Sequence, residues 1–213
     1  MQAVQAALAL AVCAGGALPM GSGSAASGSG GGGRALSSTK NQTVFEAPNH
    51  HDVQDVLHGW WTVKRTLPLR YLGVTLLMTF LKLYPEHYDA FAGPGAELHG
   101  VERLPQNKPF VAKAVTCAYG MSSMFENMED LPLVEEIAKQ VGERRGRDGV
   151  TAESLEDMRD LMLHLVTHYH KKYAELFPLG IVESSTRTLN WIVDMMKKGM
   201  QRQADKKKKA APP

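Results

Sequence analysis

From His50 onward, apolar residues recur every three to four positions, and no convincing length of chain alternates with period two. That rhythm predicts helices that each bury one face, and no sheet. Residues 51–66 set Val53, Val56, Leu57, Trp60, Trp61 and Val63 along one broad stripe. Pro68 then stands where a new helix begins, a place that tolerates a missing N–H. The run that follows carries Leu72, Leu76, Phe80 and Leu83 and stops at Pro85, and residues 87–100 read as turns. Residues 108–128 space Phe110, Ala114, Cys117, Met121 and Met124 by three and four, which makes a single buried stripe. A shorter helix is predicted over 130–141, with Asp130 as its cap and Pro132 in its first turn. Thr151, Ser154 and Glu156 open a long helix that keeps Leu155, Met158, Met162, Leu165, Tyr169 and Tyr173 in register. A last helix over 184–202 carries Leu189, Ile192, Val193, Met196 and Met200. The fold class is all-α, with about six helices in one domain.

The ends read differently. Residues 1–48 look like a disordered leader: an apolar, small-residue stretch (7–18) followed by the Gly/Ser linker 21–33. The stretch has the character of a signal h-region, yet no Lys or Arg precedes it, the first being Arg34. Secreted and cytoplasmic readings therefore stand level. Export would make Asn41-Gln42-Thr43 a glycosylation acceptor and leave Cys117 unpaired. The folded domain is expected over 49–202, and residues 203–213 as a basic disordered tail.

Composition narrows the class of partner. The 213 residues suffice for one core, with 44% hydrophobic and 22% charged residues, as in ordinary soluble domains. A net charge of +2, four units of it from Lys206 to Lys209, indicates no nucleic-acid partner. No apolar run reaches the roughly 20 residues of a membrane span. The longest, 71–84, is interrupted by Lys82 and reads as a buried helix. Two cysteines make no disulfide framework.

The order of landmarks resembles the globin family over roughly residues 50–202. Trp61, in "WWTV", looks like the first-helix tryptophan of globins. Gly73 sits where globins let their second and fifth helices cross closely. "YPEHYDAF" (84–91) resembles the segment ending in the phenylalanine that packs on the haem face, which places that role on Phe91. "NKPFVAKAV" is similar to the start of the distal helix. "FENMEDLPLVEEIAKQVGERRGRDGV" resembles the turn and proximal helix of invertebrate and nerve-type globins, and "RTLNWIVDMMKKG" the terminal helix. The resemblance implies a globin fold of six to eight helices, a small-molecule pocket and a globin-type oligomer.

It also implies a departure. A globin holds iron through a proximal histidine. The resemblance puts Arg145 at that position, Lys113 at the distal one, and Cys117 one helical turn further on. A guanidinium stays protonated and has no lone pair to give iron. No shift of register supplies the ligand, because no histidine occurs between Gly100 and Leu163. Three readings follow. The chain has lost ordinary haem binding and serves a non-haem binding or structural role with no cofactor, Arg145 being a surface or pocket-mouth cation and Lys113 snorkelling outward. Or haem b binds O₂ through an unusual ligand, foremost a deprotonated Lys113, with Cys117, Met121 or Met124 behind it. Or an anion or fatty acid occupies the old haem crevice, facing Lys113 and Arg145.

Other groups suggest less. His164 and His168 lie four apart on one helix face, a zinc-compatible spacing, but no third ligand accompanies them, so they read as surface histidines. His87 reads as a solvated loop residue. Arg144, Arg145 and Arg147 stand beside Glu143 and Asp148, a solvated turn rather than an anion site. The eleven methionines, at helical spacing, are core filler. No nucleophile–base set and no phosphate-binding glycine loop is found, so no enzyme is expected.

Overall fold

The structure is a computed structural model that describes residues 45–92 and 100–210. The leader to residue 44 with its sequon, part of the 87–100 turn region and the last three residues lie outside the described residues. Seven α-helices are present among those described: α1 (His50–Thr66), α2 (Leu69–Leu83), α3 (Tyr88–Ala92), α4 (Lys108–Glu126), α5 (Leu131–Arg147), α6 (Ala152–Lys172) and α7 (Ile181–Ala210). Short 3₁₀ turns at Pro85–His87, Val101–Gln106 and Ala174–Leu176 join them, and the described residues contain no strand.

The helix starts follow their local chemistry. The Asn49 side chain accepts from the Asp52 N–H at 3.0 Å while the Asp52 carboxylate accepts from the Asn49 N–H at 3.1 Å, closing a capping box on α1. Asn107 and Asp130 cap α4 and α5, each with a proline in the first turn. Thr151 and Ser154 form a second capping box on α6.

The helix ends depart from expectation at two places. α5 continues through the stretch "GERRGR" to Arg147 instead of stopping at 141. Gly149, at φ 83, terminates it, and the Val150 N–H reaches back to the Arg145 carbonyl at 3.1 Å. This is the glycine-terminated helix end in which the next apolar residue, here buried Val150, tucks under the last turn. The terminal helix runs on to Ala210, eight residues past its expected end. Lys206 pairs with Glu143 at 2.7 Å, so the basic run is helical through residue 210 instead of beginning a disordered tail at 203.

α7 is the spine, packing against α5, α6 and α1, while α2 crosses α4. Gly73 makes the α2–α4 crossing close: a β-carbon there would lie 2.3 Å from the Ala114 carbonyl oxygen. The core centres on Phe80, whose ring meets Tyr84, His87 and Phe91 with centroids 5.2, 5.4 and 5.1 Å away. Of the two adjacent tryptophans it is Trp60 that is buried, against Phe125. Trp61 is 42% exposed under the Lys64 ammonium, so the landmark role expected of Trp61 falls to its neighbour. Successive residues of a helix are turned by about 100°, and Trp61 falls outside the face that Val53, Val56 and Trp60 bury. No described helix is long and apolar enough to cross a membrane. α1 and α2 pass only as a pair, and they meet at a 104° bend.

One ion pair ties α1 to α7. The Arg187 Nε lies 3.0 Å from both oxygens of Asp52, whose carboxylate is only 1% exposed. The hydrogen bond from Arg187 holds the Asp52 pKa below its ordinary 3.8, outweighing the opposing effect of burial. Because the folded value lies below the unfolded one, the pair's stabilisation is complete above 3.8 and is lost as pH falls through the folded value. Arg187→Gln should therefore lower the thermal midpoint at neutral pH and flatten its fall below 3.8, measured by circular dichroism across a pH series.

Candidate functional site

The four expected pocket positions come from three helices. Phe91 closes α3 and is buried edge-on against Phe80. Lys113 and Cys117 lie one turn apart on α4, both half-buried. Arg145 lies near the end of α5, on the same buried stripe as Val134, Ala138 and Gly142.

Arg145 is not the surface or pocket-mouth cation expected of it. It is 8% exposed, and the nearest carboxylate in an ion pair with it is that of Asp148, 3.7 Å away. Its charge also acts on the Cys117 thiol across the gap between α5 and α4. A helix repeats every 3.6 residues, so a residue three beyond Gly142 shares its inward face. Arg145 is thus carried on the inward face of α5. Lys113 is held differently: its ammonium donates to the Ala90 carbonyl at 2.8 Å, at the C-terminal end of α3, where a cation suits the exposed carbonyls. Burial pushes the Cys117 thiol up from its ordinary 9.0, and Arg145 only partly offsets this, so the group is a neutral thiol at physiological pH. Alkylation tracks the thiolate. Iodoacetamide should therefore modify Cys117 slowly at neutral pH and faster only well into the alkaline range. Arg145→Gln should slow it further at any given pH, followed by peptide mass spectrometry.

These groups do not fit a protein-ligated haem. Arg145 has no lone pair, the Lys113 nitrogen is engaged as a donor, and Cys117 retains its proton. Met121 and Met124 are buried on α4 as core residues, as their spacing suggested.

His87 corrects its expected solvated loop setting. It is buried, stacked on Phe80, with Nε2 2.6 Å from a carboxylate oxygen of Asp157 on α6. Glu86, His87 and Asp157 bring one ligand-type atom each within 4.8 Å of one another, the one such grouping among the described residues. The nearby Tyr84 hydroxyl is pushed up by burial and by the carboxylates of Asp157, Asp160 and Glu86. His164 and His168 are both exposed.

A sizeable void lies elsewhere. A cavity of about 560 Å³ opens between α1, α2, α6 and α7, with Met121 and Phe125 of α4 at its floor, and none of the four pocket positions lines it. Nothing local signals it, because wall residues such as Leu72, Leu76, Met162 and Leu165 read equally well as ordinary core.

Compared by sequence, no protein-family model and no curated protein matches the chain. Compared by structure, it is similar to a crystal structure of a hexacoordinated heme protein from an anhydrobiotic tardigrade at pH 4. The match has a TM-score of 0.60 at 16% identity, covering 72% of this chain and 95% of that one. The fold is globin-like. At that identity the likeness extends to the path of the helices alone.

Proposed function

We propose that this chain is a member of the globin family that has given up haem ligation and serves a non-haem binding or structural role. The observation that carries this reading is Arg145. At the proximal position the buried stripe of α5 presents a guanidinium in place of an imidazole, and its charge reaches Cys117 on the facing helix. A cation with no lone pair cannot take the axial place. The settings of Lys113 and Cys117 support the same reading, since the lysine is turned to the Ala90 carbonyl and burial keeps the proton on the thiol. They also weigh against an anion or fatty acid in the crevice, because Lys113 is turned to a backbone carbonyl and Arg145 to Asp148.

Purification from cells supplied with haem precursor tests the reading. The protein is expected to emerge without a stoichiometric Soret band. A full band that Lys113→Ala abolishes, with helicity unchanged, would instead establish lysine-ligated haem and the oxygen-binding alternative.

A further inference from the structure

The 560 Å³ cavity between α2 and α6 has a chemical character of its own. α2 and α6 face each other across it rather than packing together. Its walls are apolar, with Trp60, Leu72 and Leu76 on one side and Met162 and Leu165 on the other. No acidic or basic side chain and no histidine lines it; apart from the Trp60 indole, its polar side chains are the hydroxyls of threonine, serine and tyrosine. One of these, the Thr188 Oγ1 on α7, is fully buried and has no hydrogen-bond partner. Leaving a buried hydroxyl unpaired is unfavourable, and native interiors rarely tolerate it.

We propose that this cavity is a binding site for a neutral, mainly apolar small molecule that carries a hydroxyl or carbonyl group, with the Thr188 hydroxyl as its polar anchor. The volume lies within the roughly 300–1,000 Å³ of ordinary small-molecule sites. A hydroxyl both donates and accepts, so it meets either an alcohol or a carbonyl. A carboxylate is disfavoured, since its charge would be buried with no cation in the wall to pair it. The site is separate from the α4–α5 crevice, and the proposal stands whether or not that crevice takes haem.

Nile red, a neutral dye whose emission rises in apolar surroundings, tests it with the full chain. One saturable site is expected, and decanol should displace the dye at least about tenfold more effectively than decanoate, given the cost of burying an unpaired charge. Two substitutions fill the cavity from opposite walls, Thr75→Phe on α2 and Val166→Phe on α6. Each should weaken dye binding by about tenfold or more by occluding the space, with helicity retained. Two walls are used so that a variant that misfolds, as judged by circular dichroism, leaves the other to decide. Thr188→Val should weaken displacement by decanol and leave helicity unchanged. The proposal is overturned by an absence of saturable dye binding, by unchanged binding in the folded filling variants, or by decanoate competing as well as decanol.

Discussion

Gly142→Ala is expected to lower stability by about 3 kcal/mol or more, at the upper end of what overpacking costs. The β-carbon it adds would lie 2.0 Å from the carbonyl oxygen of Met196 on α7 and 2.7 Å from its carbonyl carbon. These are backbone atoms, and no rotamer change moves them aside. The crossing is reciprocal, since a β-carbon on Gly199 of α7 would lie 2.0 Å from the Lys139 carbonyl oxygen of α5. The two helices can therefore relieve a substitution at either glycine only by moving apart, and α7 is the spine against which α1, α5 and α6 all pack. Gly146, one turn further along α5, is the internal control. A β-carbon there meets the Met200 side chain at an ordinary 3.5 Å, and replacing a helix-interior glycine favours the helix by up to about 1 kcal/mol. Gly146→Ala should be as stable as the parent or more so. Urea unfolding of both variants decides the point, and equal midpoints for the two would refute the close crossing.

The second large effect is a gain. Arg145→His should give a protein that captures one haem and shows a full Soret band. α5 already presents this side chain inward, on the stripe with Ala138 and Gly142, so a neutral imidazole would offer its lone pair into the crevice. Arg145→Gln removes the same charge without supplying a good iron ligand. It should remain without a stoichiometric band, which separates the effect of the ligand from that of emptying the crevice. If both variants captured haem equally, the guanidinium would be acting as an obstruction alone.

Much of the fold could be read from the residues, because periodicity reports which face of each helix is buried. Asp130 and Thr151 announced their helix starts through capping chemistry, and Gly73 its crossing through the landmarks around it. The end of α5 was misjudged because glycines and charges in "GERRGR" suggest a turn. Tertiary contact with α7 outweighs that propensity, and the stop comes from Gly149. The stripe Val134, Ala138, Gly142 was the available sign that the helix continues and that its glycine faces a neighbour. The same stripe makes Arg145 an inward residue, which its sequence neighbours, all suited to a solvated turn, conceal. His87 with Asp157 and Asp52 with Arg187 were out of reach, since 70 and 135 positions separate the partners and nothing local pairs them. The cavity was out of reach for a different reason. Periodicity tells which residues face inward, not whether the facing helices meet.

Whether the Arg145 position can supply a ligand to iron is tested by a direct titration. Hemin is added to the purified wild-type chain and to Arg145→His side by side, and each spectrum is recorded as the ferric form and after reduction under CO. The wild-type spectrum is expected to stay that of free hemin with no endpoint, while Arg145→His saturates at one equivalent. A wild-type chain that saturates at one equivalent, with a Soret band that shifts under CO, would contradict that expectation.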